Sequence, residues 1–228
     1  MWSFLTDSWA ALALGAVVGY LLGSVNWAIL VTRWFAHKDI RTFGSGNAGA
    51  TNVLRSQGTL PAVLTTLGDL VKSMLATWLG GWLLTNLHMA SAAFDEATLM
   101  LIGRYIGGFA CVIGHVWPVF YRFRGGKGVL STLGMFLIAD WRVALFCLGL
   151  FIFIVSISRL VSLGSVVAIG YGPVILCIMH FAVDKISLPL GMFTTLMTAA
   201  VACVIAIKHK DNMKRVAAGQ ERRLGEKA

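Results

Sequence analysis

Apolar runs separated by short polar stretches dominate the chain, and their lengths set its organisation. They cover roughly residues 9–35, 61–87, 97–120, 130–139, 143–157, 161–180 and 188–207. Most reach the roughly 18 residues or more that a helix needs to cross a bilayer. Pro61 suits the first turn of the second run, where its missing N–H costs nothing. Residues 88–96 form a short acidic connection. The 130–139 and 143–157 runs are shorter and are separated by Asp140-Trp-Arg142, so they read as two tight spans or as one bent span. Met1 to Asp7 carries no Lys or Arg, unlike the basic start of a signal peptide, and the run behind it is too long for a cleaved apolar core.

Charge decides between the two readings. With seven spans, fifteen of the nineteen Lys and Arg residues fall on one side; Arg142 and Lys185 fall on the other, and Lys72 and Arg104 lie within spans. Six spans would move Arg159 and the basic tail to the far side, against the positive-inside rule. The expected fold is an all-α polytopic membrane protein with seven transmembrane helices in one domain, residues 1–228. Its N-terminus is expected outside and its C-terminus in the cytoplasm. Composition agrees: 57% of residues are hydrophobic, 13% are charged and the mean hydropathy is +0.78. A soluble domain carries about 25% charged residues. The net charge of +9 is accounted for by topology, and no nucleic-acid partner is expected.

Four polar patches fall on the predicted cytoplasmic side. The first is Gly44-Ser-Gly-Asn-Ala-Gly-Ala-Thr-Asn-Val-Leu-Arg55. Its glycines let backbone N–H groups approach a ligand, Ser45, Asn47, Thr51 and Asn52 add neutral donors, and Arg55 ends it with a forked cation suited to phosphate. It also reads as an ordinary glycine-rich turn. The second, Tyr121-Arg-Phe-Arg-Gly-Gly-Lys-Gly128, lacks the Ser or Thr that a nucleotide P-loop requires after its lysine. A phosphate nest of Gly125, Gly126 and Gly128 N–H groups with Lys127 needs no such residue. The third is the turn from Ser158 to Ser165, with Arg159 and Ser162. The fourth is the tail, where His209, Asn212 and Arg215 recur at i, i+3, i+6 and so share one helical face; Gly219 and Glu221 follow.

Other polar groups lie inside the runs. Asp69 and Lys72 share a helical face three residues apart; they read as a mutual ion pair or, preferably, as groups reaching the polar loop. Gly23-Ser24 and Asn26 suit a close helix contact. Arg104 has no assignment. Cys111, Cys147, Cys177 and Cys203 show no C-x-x-C spacing and read as packed or lipid-facing thiols, and the five histidines have no metal-ligand spacing. No metal or cofactor is expected. Convergence of the four patches implies one cationic pocket at the membrane surface, suited to a small phosphorylated substrate meeting a lipidic one.

The motifs also carry a resemblance. Ser45-Gly-Asn-Ala-Gly-Ala-Thr-Asn-Val-Leu-Arg55, Gly114-His-Val-Trp-Pro-Val-Phe120 with Gly125-Gly-Lys-Gly128, and His209-x-x-Asn212-x-x-Arg215 with Gly219-x-Glu221 resemble, in order, the three motifs of the bacterial acyl-phosphate:glycerol-3-phosphate acyltransferase family (PlsY-type). The resemblance covers nearly the whole chain. It implies transfer of a fatty acyl group from acyl phosphate to the 1-hydroxyl of glycerol 3-phosphate, giving lysophosphatidic acid in the bacterial inner membrane. It implies that Ser45, Arg55, His209 and Asn212 are needed for activity and that Glu221 is structural. Lys127 with its glycines would hold phosphate, as would Asn47, Thr51, Asn52, Ser162, Ser165 and Arg215. A monomer is expected, meeting acyl phosphate, glycerol 3-phosphate and membrane lipid. Ser73, Leu130-Ser131 and Lys210 depart conservatively from the family pattern.

Acyl phosphate is an activated mixed anhydride, so the chemistry needs orientation, charge stabilisation and removal of one hydroxyl proton. His115 and His209 are the candidate side-chain bases, and the substrate phosphate is the alternative. No Ser-His-Asp spacing supports an acyl-enzyme on Ser45, which favours direct transfer. A solute transporter would place polar groups near the midplane of several spans, and a passive lipid-binding protein would not need four convergent patches. Acyltransferases that use H-x-x-x-x-D are excluded, because no histidine has Asp five positions on.

Overall fold

All but the first of the apolar runs fold mainly as one helix each, and the first and fourth polar patches carry short helices of their own. The computed structural model describes residues 2–87 and 94–226; Met1, residues 88–93 of the acidic connection and residues 227–228 lie outside them. The helices are α1 (Trp2–Ser24), α2 (Trp27–Ala36), α3 (Ala50–Gln57), α4 (Thr59–Leu87), α5 (Glu96–Val116), α6 (Val129–Ala139), α7 (Trp141–Ser158), α8 (Val161–Ile178), α9 (Leu188–Lys208) and α10 (Lys210–Ala217). Among the described residues there is no strand. Five stretches are long and apolar enough to cross a membrane: Ser8–Ala36, Glu96–Tyr121, Trp141–Ser158, Val161–Val183 and Leu188–Lys208. Helix α4 has 29 residues, about 43 Å, but Asp69 and Lys72 interrupt its apolar pattern. Helix α6 is apolar, yet its 11 residues extend only about 16 Å. The exposed side chains of these helices, such as Phe153, Ile157 and Leu196, face outward as lipid contacts require.

The chain divides into two compact units, Met1–Asn26 with Asp69–Asp140, and Trp27–Gly68 with Trp141–Ala228. In the first unit, small residues let helix backbones touch. A Cβ at Gly23 of α1 would overlap the Cys111 carbonyl of α5, and one at Gly80 of α4 would overlap the Gly103 carbonyl. This is the packing expected where no hydrophobic effect drives helices together and close dispersion contact must do so. Asp95 starts α5 by accepting the Thr98 N–H at 2.7 Å, and Glu96 adds a negative charge at that helix start.

The first apolar run departs from the expected single helix. It breaks at Val25-Asn26, between α1 and α2, which frees backbone carbonyls at a depth where water is scarce. Lys72 satisfies them: its Nζ donates to the carbonyls of Gly23 at 3.1 Å and Val25 at 2.8 Å. The same ammonium lies 2.8 Å from Asp69 Oδ1 and 2.9 Å from His115 Nδ1. Asp69 and Lys72 therefore pair with each other, the first of the two expected readings, close the end of α1 and hold His115. Ser24 accepts the Val119 N–H at 3.3 Å, and the Tyr20 hydroxyl donates to the Trp117 carbonyl at 2.8 Å.

In the second unit, α7 packs on α8 and α8 on α9. The Val155 and Phe151 side chains of α7 leave no room for a Cβ at Gly164 of α8. Arg142 at the start of α7 forms a two-bond ion pair with Asp184, at 2.8 and 2.6 Å. Of the four cysteines, Cys111 and Cys147 are buried, Cys177 is partly buried and Cys203 is exposed, and all are free thiols.

Candidate active site

Gly44 and Gly46 turn the first patch through the left-handed region, with φ of 52° and 69°, which a Cβ would oppose. What fixes the turn is Asn52. Its buried amide donates to the carbonyls of Ile40, Phe43 and Asn47 at 3.3, 3.0 and 3.1 Å, and its Oδ1 accepts the Ser45 N–H at 3.1 Å. The expected phosphate donor is thus taken up in shaping the loop. Ahead of it, Asp39 accepts from Arg41 Nε at 3.0 Å and Nη2 at 2.8 Å. The Arg41 guanidinium beside Asp39 holds that carboxyl below its ordinary range, against the opposing effect of burial. Ser45 is exposed, Asn47 and Thr51 are half-buried, and Arg55 lies on the last turn of α3.

The tail folds back on itself. Gly219, with φ 68°, ends α10; the Gly219 and Gln220 N–H groups bond the carbonyls of Val216 and Arg215, a Schellman closure that only a left-handed residue permits easily. The turn carries Glu221 beneath the helix. Its Oε1 accepts from Ser162 Oγ at 2.5 Å and Asn212 Nδ2 at 2.6 Å, and its Oε2 accepts from Arg215 Nε at 2.8 Å. Asn212 also donates to Ser162 at 2.9 Å. Burial pushes the Glu221 carboxyl up, but these three donors outweigh it and leave the group below the ordinary glutamate range. Arg55 joins the same tail, its Nη2 donating to the carbonyls of Arg222 at 3.3 Å and Arg223 at 3.4 Å. The Leu224 N–H reaches the Arg159 carbonyl at 2.7 Å.

His209 sits between α9 and α10, buried, with Nδ1 2.8 Å from the Ile205 carbonyl. A carbonyl only accepts, so the proton belongs on Nδ1. Ser165 is buried and its hydroxyl donates to the Val161 carbonyl of its own helix at 2.8 Å. In the second unit, then, Ser162, Asn212, Arg215 and Glu221 form one cluster, Arg55 is tied to the tail, and Ser165 stands within α8.

Lys127, its glycines and His115 belong to the first unit. Arg122 and Phe123 both take left-handed backbone, each with φ 57°, to fold the loop back on α5. The Gly125 and Gly126 N–H groups bond the carbonyls of Val116 at 3.3 Å and His115 at 3.1 Å, and a Cβ on Gly125 would overlap the His115 carbonyl. These two glycines serve close packing, while Gly128 turns the chain, at φ 87°, into the first turn of α6. Lys127 stands just ahead of that helix start, a place that favours anions. His115 is buried, with Nδ1 facing the Lys72 ammonium. The same nitrogen lies 3.4 Å from Asp69 Oδ1, so the Asp69–Lys72 pair engages it whichever tautomer His115 holds.

The family model for glycerol-3-phosphate acyltransferase matches residues 13–219. The chain belongs to the glycerol-3-phosphate acyltransferase family. A family member from Clostridioides difficile is 39% identical over 212 residues, covering 93% of this chain and 95% of its own. One from Synechococcus is 38% identical over 217 residues, covering 92% and 94%. Among solved structures, crystal forms of PlsY (YgiH), an integral membrane glycerol 3-phosphate acyltransferase, superpose with TM-scores of 0.77 for the glycerol 3-phosphate form and 0.74 for the lysophosphatidic acid form. Their identities are 28% and 26%, with 94% of this chain and 96% and 95% of theirs covered.

In this acyltransferase the tail motif has a testable electrostatic signature. A carboxylate whose folded pKa is lowered contributes stability that is fully present above its unfolded value, about 4.3. That contribution is lost as pH falls through the folded value. Wild type should therefore unfold at a higher temperature than Glu221→Gln near pH 6, with the gap closing as the pH drops below about 4. A gap that stays constant across that range would assign Glu221 a role that does not need its charge. Sequence reasoning missed the part Asn52 plays and the hold of the tail on Arg55. An Asx residue a few positions after a glycine turn is the signal for the first; nothing in the spacing signals the second.

Proposed function

We propose that this chain transfers a fatty acyl group from acyl phosphate to the 1-hydroxyl of glycerol 3-phosphate, releasing phosphate and lysophosphatidic acid. The observation that carries this reading is the tail cluster. Glu221 gathers Ser162, Asn212 and Arg215, and the same tail holds Arg55, in a family whose solved relatives are in glycerol 3-phosphate and lysophosphatidic acid forms. We assign phosphate binding in the first unit to Lys127 and the start of α6, and in the second unit to Arg55, with loop shaping by Asn52. The glycerol hydroxyl oxygen attacks the carbonyl carbon of the mixed anhydride, the carbon–oxygen bond to phosphate breaks, and phosphate leaves. The hydroxyl proton passes to a phosphate or to His209, which its Nδ1 bond to Ile205 orients. Purified protein given palmitoyl phosphate and glycerol 3-phosphate should release phosphate. Turnover with an acyl thioester but not with acyl phosphate would overturn the donor assignment.

Direct transfer fits Ser45 as a hydrogen-bond donor. Its hydroxyl is exposed, and among the described residues no base is hydrogen-bonded to it. Enzyme incubated with acyl phosphate alone should show no burst of phosphate stoichiometric with protein, and the Ser45 peptide should carry no acyl mass. An acylated Ser45 peptide would establish the covalent route instead.

The topology belongs to the same proposal: seven crossings, N-terminus outside, tail and reaction on the cytoplasmic side of the inner membrane. Lys and Arg distribution supports it. In a background without native cysteines, a cysteine replacing Gly225 should resist an impermeant thiol reagent in intact cells and react after lysis. Labelling in intact cells would reverse the orientation.

A further inference from the structure

We infer that Arg104, whose stem lies against Gly81 of α4, forms a binding site for the phosphate of a membrane phospholipid. Arg104 lies eight residues past Glu96 on α5, about 12 Å along the helix, where a cation is costly without a partner. Among the described residues, its buried Nε has no hydrogen-bond partner, and Nη2 donates to Met100 Sδ at 3.2 Å, a weak acceptor. The stem is nonetheless housed. A Cβ at Gly81 of α4 would lie 3.0 Å from Arg104 Cγ and from the Met100 carbonyl, so Gly81 keeps open the space the arginine occupies.

Among the described residues, no carboxylate is paired with Arg104. Asp69 is taken up by Lys72 and His115. Asp95 and Glu96 stand at the start of α5. A lipid phosphate would supply the countercharge that Nε lacks. Trp82, next to Gly81, stacks on Trp78 with ring centroids 6.5 Å apart, and both are exposed. Tryptophans on a lipid-facing helix sit at headgroup level. They mark a level from which a lipid phosphate is within reach of a long arginine side chain, and an arginine fork suits a phosphate oxygen pair.

The test compares wild type with Arg104→Leu by native mass spectrometry, offering phosphatidylglycerol or diacylglycerol of the same chains. Wild type should retain one more phosphatidylglycerol than the variant, whose retention falls about tenfold, as for loss of one charge-assisted pair. Diacylglycerol should not distinguish the two proteins. Equal phosphatidylglycerol retention overturns the site. So does a dimer mass lost in Arg104→Leu, which would assign the countercharge to a second copy, and so does Arg104-dependent retention confined to acyl phosphate. Should Arg104→Leu not fold, wild type alone decides. Solid-state NMR with labelled arginine should show an Arg104 nitrogen–phosphorus contact in phosphatidylglycerol bilayers, and its absence overturns the inference.

Discussion

Lys127→Ala is expected to lower kcat/KM by roughly thirty- to several-thousand-fold, the effect of removing one partner from a desolvated charge pair. The loop makes the dependence on this lysine stronger than its glycines suggest. In the sequence, Gly125-Gly-Lys-Gly128 reads as a cradle of backbone N–H groups. In the structure, two of those groups bond the carbonyls of Val116 and His115. What remains for a phosphate is the start of α6 and the ammonium ahead of it, so the compact charge carries more of the binding. Lys127→Arg retains charge but not size, and should recover only part of the loss. Melting temperatures of both variants separate loss of binding from loss of fold. Activity of Lys127→Ala within about threefold of wild type would make Lys127 one more cytoplasmic-side lysine of the positive-inside pattern.

How much of this was legible in the sequence depended on the range of the interaction. Helices α7 to α9 and the start of α5 follow from run length and capping residues, which are local. The shared face of Asn212 and Arg215 is also local, and both side chains do meet Glu221. The fate of Asn52 is different, because an asparagine in a glycine loop offers the same donors to a ligand as to its own backbone, and only the fold decides. Arg55 is harder still, since its partners are carbonyls 167 and 168 residues away, and backbone carbonyls leave no trace in residue identity. The break at Val25-Asn26 had no glycine or proline within it to announce it. It is stable because Lys72, on another helix, satisfies what the break exposes.

That dependence leads to the second large effect. Lys72 and Asp69 are buried, with side chains 5% and 1% exposed. Removing one partner of a buried pair leaves an uncompensated charge, which costs about 3–5 kcal/mol. Lys72→Met should be the more damaging change. It strands Asp69 and also frees the Gly23 and Val25 carbonyls that close α1, in a medium where nothing else donates to them. Asp69→Ala leaves the ammonium its two carbonyls and His115, and so should cost less. The double variant should fall short of the sum of the single losses, because the stranded charge is gone while the orphaned carbonyls remain. Melting temperatures of the four proteins in one detergent would measure this cycle. Additive losses would mean that Asp69 and Lys72 act separately, and a mild Lys72→Met would mean that the end of α1 is satisfied without the lysine.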